Sequence, residues 1–319
     1  MTSRGFSGAA ALVTGAAGFL GRRLVRRLLA RGCPVVALDA AEGGADEQSA
    51  QGLIRVRGGI DSPAALGLAL EGLRRLERPQ AVLFHLAALS HVGACEHDPE
   101  GAHRLNCEAA LALAGWWAGQ GYRRVLFPST ALVYANRGLG PLSEDASVAA
   151  ANAYGASKLA AERGLCRLAE DRGLRVDIVR LSNVYGGRGA APDTVVSEAL
   201  RQGLAGRAPR MRRPRVVLDF LYCEDAAEGM VRVAEAEGGP GCRILNLSTG
   251  AGRTVAEMAG LVRRLCGLAE PCPDGAEGEG EGLVLDNSRL RALTGWVPQF
   301  DLAAGLAHAL AELKGDGPA

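Results

Sequence analysis

Through the first half of the chain, short apolar runs alternate with amphipathic stretches. Ala10–Thr14 is an apolar run of strand length. Leu20–Arg31 sets leucines and valine at helical spacing among arginines, and Gly32 ends it, as glycine commonly does at a helix C-terminus. Val35–Asp39, Ile54–Val56, Ala81–Leu86, Arg124–Ser129 and Val176–Leu181 predict further strands, with helices over 62–76, 99–119 and 152–172. Strands that alternate with helices in this way predict a parallel sheet covered on both faces.

The second half is less regular. A helix is predicted over 192–205, then an arginine-rich loop, a strand at Leu218–Tyr222, a helix at Glu224–Glu235, a strand at Arg243–Leu247 and a last helix near 301–313. The acidic, low-complexity run 273–282 predicts a mobile surface loop. The expected fold is α/β, a Rossmann-type doubly wound parallel sheet with a smaller C-terminal substrate-binding domain. Residues 1–182 form the dinucleotide domain, with 218–248 returning to it; 183–217 and 249–319 form the substrate region.

Composition narrows the function. The 319 residues are 48% hydrophobic and 22% charged, with a net charge of +1. That is a globular composition with no field to recruit nucleic acid or an acidic membrane. No apolar run reaches membrane-spanning length, and the N-terminus runs directly into a strand pattern, so a cytoplasmic protein without a leader is expected. Eight cysteines form no Cys-x-x-Cys pair, which predicts reduced thiols and no zinc framework. His85, His91, His97 and His103 recur every six residues; that spacing does not share a helical face, so no metal site is expected. Cys95 and Cys107 read as packing residues, and Trp116 and Trp117 as core or interface anchors.

The chemistry starts at Thr14-Gly15-Ala16-Ala17-Gly18-Phe19-Leu20-Gly21, between the first strand and the first helix. Glycines there allow a tight turn and close backbone approach to a pyrophosphate, which the helix N-terminus attracts. Gly15, Ala17, Gly18, Phe19 and Leu20 are the candidate contacts. Asp39 ends the second strand, 18 residues past Gly21. A carboxylate in that position accepts the ribose hydroxyls and repels a 2′-phosphate, so NAD is favoured over NADP.

Tyr154 and Lys158 stand four apart on a predicted helix and share a face. An ammonium beside the phenol is expected to favour phenolate, which lets Tyr154 exchange a proton with a substrate hydroxyl. Lys158 can also hold the nicotinamide ribose. The hydroxyl of Thr130, just past the fifth strand, is placed to bond the same substrate oxygen.

With these residues in place, the chain resembles an extended short-chain dehydrogenase/reductase of the NAD-dependent epimerase/dehydratase family, whose members mostly act on nucleotide sugars. TGAAGFLG (14–21), HLAALS (85–90), STALVYA (129–135), YGASKLAAE (154–162), RLSNVYG (180–186), DFLYCEDAA (219–227), NLSTG (246–250) and LTGWVP (293–298) match in order. The resemblance implies Thr130, Tyr154 and Lys158 as the catalytic trio. It places Ile60, Leu86, Ala87 and Ala88 on the cofactor and Ala131 and Asn183 at the substrate. It also implies a homodimer through the helices near 99–119 and 152–172.

Four departures from the family pattern stand out. Gly59 replaces the acid that often contacts adenine, and the neighbouring Asp61 is expected to face away along an extended strand. Ala131 and Leu132 fill the places where 4,6-dehydratases carry an Asp-Glu pair. Leu218 replaces an arginine common before the Asp-Phe pair, and Gly282-Leu283-Val284 lacks the late phosphate-gripping arginine. Arg201, Arg207, Arg210, Arg212, Arg213 and Arg215 crowd one stretch as possible substitutes, with Arg188 another; Arg188 and Arg215 are the candidate substrate contacts. Two enzymatic readings follow. One is an epimerase that oxidises a sugar hydroxyl transiently, usually at C4, on retained NAD. The other is a one-way 4-ketoreductase or dehydrogenase of a (deoxy)sugar nucleotide in natural-product biosynthesis, using NAD(P). A non-catalytic sensor or scaffold is the alternative of another class; loss of the tyrosine or lysine is its usual mark, and both are intact.

Overall fold

In the computed structural model, residues 8–41, 50–135, 138, 140–191, 194–269 and 282–315 are described. The chain opens with β1 (Ala9–Thr14), α1 (Phe19–Ala30), β2 (Val35–Asp39), β3 (Leu53–Arg57), α2 (Pro63–Arg75) and β4 (Gln80–His85). Then come α3 (Val92–His97), α4 (Pro99–His103), a π-helical turn (Arg104–Glu108) and α5 (Ala109–Gly119). β5 (Arg124–Thr130), α6 (Ala153–Arg172), β6 (Arg175–Leu181) and β7 (Asn183–Tyr185) follow. The remainder is α7 (Val195–Leu204), β8 (Val217–Tyr222), α8 (Cys223–Glu235), β9 (Gly241–Leu247), β10 (Gly252–Thr254), α9 (Val255–Leu265), β11 (Gly282–Leu283), α10 (Ser288–Thr294) and α11 (Leu302–Lys314). The helix expected from 192 begins at Val195 behind a Thr194 cap, and 192–193 lie outside the described residues, as does 273–281 of the acidic run.

Among the described residues, seven strands form one parallel sheet in the order β3-β2-β1-β4-β5-β6-β9. Period-two alternation sends neighbouring residues to opposite faces. Ala10 and Leu12 pack with α2, α5 and α6, whereas Ala11 and Val13 pack with α1 and α8. Both cores are apolar, so the strands read as continuous hydrophobic runs. α6 is bounded by local chemistry: Asn152 accepts the Gly155 N–H at 2.7 Å, and Gly173, at φ 61°, ends it in the left-handed conformation.

A second sheet joins β10, β8 and β11, with β7 also pairing to β8. The 218–248 segment therefore divides. α8 and β9 return to the large sheet, but Leu218–Tyr222 belongs to the small one, because β7 leaves the end of β6 and takes β8 as its parallel neighbour. Cys166 on α6 and Cys242 on β9 are bonded as a disulfide, so two of the eight cysteines are not the reduced thiols expected. Their positions are 76 residues apart; they meet because β9 lies beside β6 under α6.

Candidate active site

The chain order of the large sheet reverses between β1 and β4. Crevices outside the strand C-termini at such a switch point are where open α/β sheets bind ligands. A cavity of about 600 Å³ lies there. The β1–α1 turn is its floor: Gly15 has φ 67°, and a side chain there would press on the backbone of Ala87, with a Cβ 2.7 Å from its nitrogen. Gly18 donates its N–H to the Gly15 carbonyl at 3.1 Å, which closes the turn. Asp39 stands at the end of β2. Its Oδ2 accepts the Ala17 N–H and its Oδ1 the Ala41 N–H, both at 2.8 Å. The carboxylate thus braces the turn and retains lone pairs for ribose hydroxyls. The cavity wall also carries Ala17, Phe19, Leu20, Ile60, Leu86, Ala87, Ala88, Tyr154 and Lys158. The cradle fits a dinucleotide: Gly15 and Gly18 leave its floor free of side chains, and the α1 N-terminus opens onto it.

At the other end of the cavity stands the first turn of α6. Lys158 is buried, with Nζ 4.0 Å from the centroid of the Phe127 ring. Burial lowers its pKa to about 7, opposed by the Glu162 carboxylate. Tyr154 titrates in the direction opposite to expectation: desolvation first, and Cys95 second, push its phenol up. Removal of the phenol from water favours its neutral form in the protein alone. His85 is buried, with Nδ1 2.8 Å from the Thr14 hydroxyl, and burial followed by Lys158 lowers its pKa to about 3. It is therefore a neutral packing group behind the lysine. His91 instead caps α3, accepting the Ala94 N–H at 2.9 Å, and His97 and His103 are exposed.

Other expected residues fall outside the cavity wall. Thr130 is at the tip of β5, its hydroxyl accepting the Leu132 N–H at 3.2 Å. Ala131 is buried with Val133, Tyr134 and Leu159. Asn183 begins β7, half-buried. Arg188 is drawn to the far side, where its Nε donates to the Glu312 carbonyl at 3.0 Å, because the turn after β7 runs onto α11. Arg215 is exposed ahead of β8. Asp61, in contrast, does face the cavity. β3 ends at Arg57, the backbone turns at Ile60–Asp61, and the Asp61 carboxylate occupies the space a side chain at Gly59 would need. Beside the cavity, Asn106 is a structural brace that sequence reasoning did not single out. It sits in the π-helical turn inside the helix expected from 99 to 119, takes both the N–H and the carbonyl of Leu89, and donates to Ser157 Oγ at 3.0 Å. A π turn, common at functional sites, has no period that a hydrophobic pattern could reveal.

A glycine cradle, an acid at the end of β2 and a Tyr/Lys helix on one cavity define an NAD-binding enzyme of the short-chain dehydrogenase/reductase type. The sequence profile of the NAD-dependent epimerase/dehydratase family matches residues 11–248. The chain belongs to that family, and its cofactor is NAD. Among its relatives is a UDP-glucose 4-epimerase of Mycolicibacterium smegmatis, 33% identical over 93% of this chain and 96% of the relative. A dTDP-glucose 4,6-dehydratase of Streptomyces griseus is 31% identical over 94% and 92%. The Thermus thermophilus UDP-glucose 4-epimerase, solved in complex with NAD, superposes with a TM-score of 0.83 at 27% identity, over 96% of this chain and 99% of that one. No helix among the described residues is long and apolar enough to cross a membrane.

Proposed function

We propose that this enzyme is an NAD-dependent nucleotide-sugar epimerase that oxidises a ring hydroxyl, at C4, and reduces it again from the other side. The observation that carries the reading is the placement of Tyr154 and Lys158 on the wall of a cavity whose opposite end is the Gly15–Gly18 cradle. Tyr154 takes the proton of the sugar hydroxyl and later returns it. Lys158 holds the nicotinamide ribose, and Thr130 steadies the substrate oxygen. NAD, when bound, would supply the hydride acceptor for the oxidation and the donor for the return. The raised phenol pKa means that Tyr154 becomes a base only when positive charge is added beside it. Lys158 lines the same cavity and would supply one such charge, and NAD, when bound in its oxidised form, would supply another.

Elimination of the 4,6-dehydratase kind is disfavoured by Ala131 and Leu132, which follow Thr130 with no side chain able to give or take a proton. Mass spectrometry of the cofactor released from purified protein, with UDP-glucose and UDP-galactose interconversion measured on the same sample, tests the reading. Retained NAD and turnover without added cofactor support it; turnover that needs added NAD(P)H supports the ketoreductase instead. The proposed assembly is a homodimer through α5 and α6. α5 is apolar all round, and Leu111 and Trp116 remain half-exposed in the single chain. Light scattering that shows a monomer at micromolar concentration would remove this part. The cytoplasm is proposed as its compartment on composition, and the Cys166–Cys242 bond is the observation against it.

A further inference from the structure

Behind Lys158 and Thr130 runs a line of buried polar groups. Glu162 is one helical turn beyond Lys158 on α6, so the two side chains lie on the same flank of the helix. Its carboxylate accepts from Ser129 Oγ at 2.5 Å and from the Arg180 guanidinium, whose Nη2 approaches to 2.7 Å and whose Nε lies at 3.1 and 3.3 Å from the two oxygens. Both charged side chains are 3% exposed. Arg180 also donates to the Glu144 carbonyl and lies over the Tyr134 ring, 4.8 Å from its centroid. Tyr134 in turn donates to Asn246 on β9 at 2.7 Å. Ser129 is joined by one peptide bond to Thr130.

Packing alone does not call for such a pair. Apolar side chains of similar volume hold a helix on a sheet at least as well as a buried ion pair does. What the pair supplies is a fixed geometry between α6 and the tip of β5, and a fixed charge one turn from the lysine. We propose that Glu162, clamped by Arg180 and Ser129, is a positioning residue: it sets where the Lys158 ammonium and the Thr130 hydroxyl stand relative to each other, and it keeps that lysine charged. The proposal rests on the reading of Lys158 as the residue that holds the nicotinamide ribose.

The groups that face Lys158 give the proposal its sign. From α6 they are Tyr154 and Glu162, and from β4 His85. From β5 it is the uncharged Phe127 ring. Arg180 on β6, with Tyr134 and Glu144, lies beyond Glu162. Tyr154 and His85 are neutral, so the carboxylate that favours the ammonium is that of Glu162. Removing it lowers the pH at which the lysine loses its proton. Removing Arg180 leaves the carboxylate uncompensated and raises that pH.

The test is NAD affinity of the purified full chain from pH 6 to 9, with melting temperature recorded on each sample. Binding is read without substrate, so the result does not depend on which sugar is used or on whether Tyr154 is the base. NAD affinity of wild type is expected to weaken as pH rises through about 7. In Glu162→Gln the midpoint is expected to move down by about one unit or more, and in Arg180→Gln to move up. A merely structural pair would lower the melting temperature of both variants and leave both midpoints at the wild-type pH, which overturns the proposal. Should one variant fail to fold, an unmoved midpoint in the other overturns it equally. A wild-type affinity that ignores pH between 6 and 9 would instead remove the ribose-holding role of Lys158.

Discussion

Tyr154→Phe isolates the proton transfer. The substitution removes one oxygen and leaves the ring. The Tyr154 carbonyl accepts from Ser157 Oγ at 2.8 Å, a backbone contact that phenylalanine keeps. The N-terminus of α6 is anchored by the Asn152 cap, which the substitution does not touch. Melting temperature is therefore expected to stay within about 1–2 °C of wild type. The cofactor cradle, built from the β1–α1 turn and Asp39, keeps its NAD. Turnover is a different matter. A positioned proton-transfer group is worth ~100- to 10,000-fold in rate, about 2.7–5.4 kcal/mol of barrier. The assay is nucleotide-sugar interconversion on protein whose NAD content has been measured by mass spectrometry. Turnover within threefold of wild type, on a folded sample carrying NAD, would assign the base to another residue and refute the site while leaving the fold untouched.

Asp39→Ala is expected to weaken NAD and to narrow its preference over NADP, since the variant loses both the brace on Ala17 and the repulsion of a 2′-phosphate; NADP bound as tightly as NAD by wild type would refute the role. Gly15→Ala demands a left-handed φ of 67° and a Cβ 2.7 Å from the Ala87 nitrogen, so loss of NAD retention together with about 1–3 kcal/mol of stability is expected by denaturant titration. Lys158 is protonated in the unfolded chain up to its ordinary 10.5 but only to about 7 when folded. The unfolded state thus binds more protons between those values, and stability rises with pH there. Lys158→Met should accordingly raise the melting temperature at pH 7 and lose that advantage toward pH 10. Cys166→Ser opens a cross-link spanning 76 positions and should lower stability by about 2–4 kcal/mol, an effect dithiothreitol reproduces in wild type.

How far the sequence reaches depends on whether a feature is local. The cofactor cradle was legible because its parts are consecutive: strand, glycine turn, helix, and an acid at the end of the next strand all lie between Ala9 and Asp39. Tyr154 and Lys158 were legible for the same reason, since a spacing of four on a helix is a statement about one face. Features that depend on where distant segments land could not be read. Asp61 faces the cavity because the chain turns after β3, where a strand pattern continued would send it away. Arg188 misses the cavity because α11 receives it, 124 positions later. Asn106 reaches Leu89 and Ser157 from a π turn that has no sequence period. The phenol pKa inverted for a related reason: neighbour identity is local, but desolvation is set by everything packed around the ring. Glu162 appears in the sequence as one more charge on a long helix. Only the parallel alignment of β5 with β6, which sets Ser129 beside Arg180 under α6, makes it a clamp. Short-range periodicity is enough to place chemistry on an element. Which elements face each other is decided by burial of two apolar sheet faces at once, and that sum runs over the whole chain.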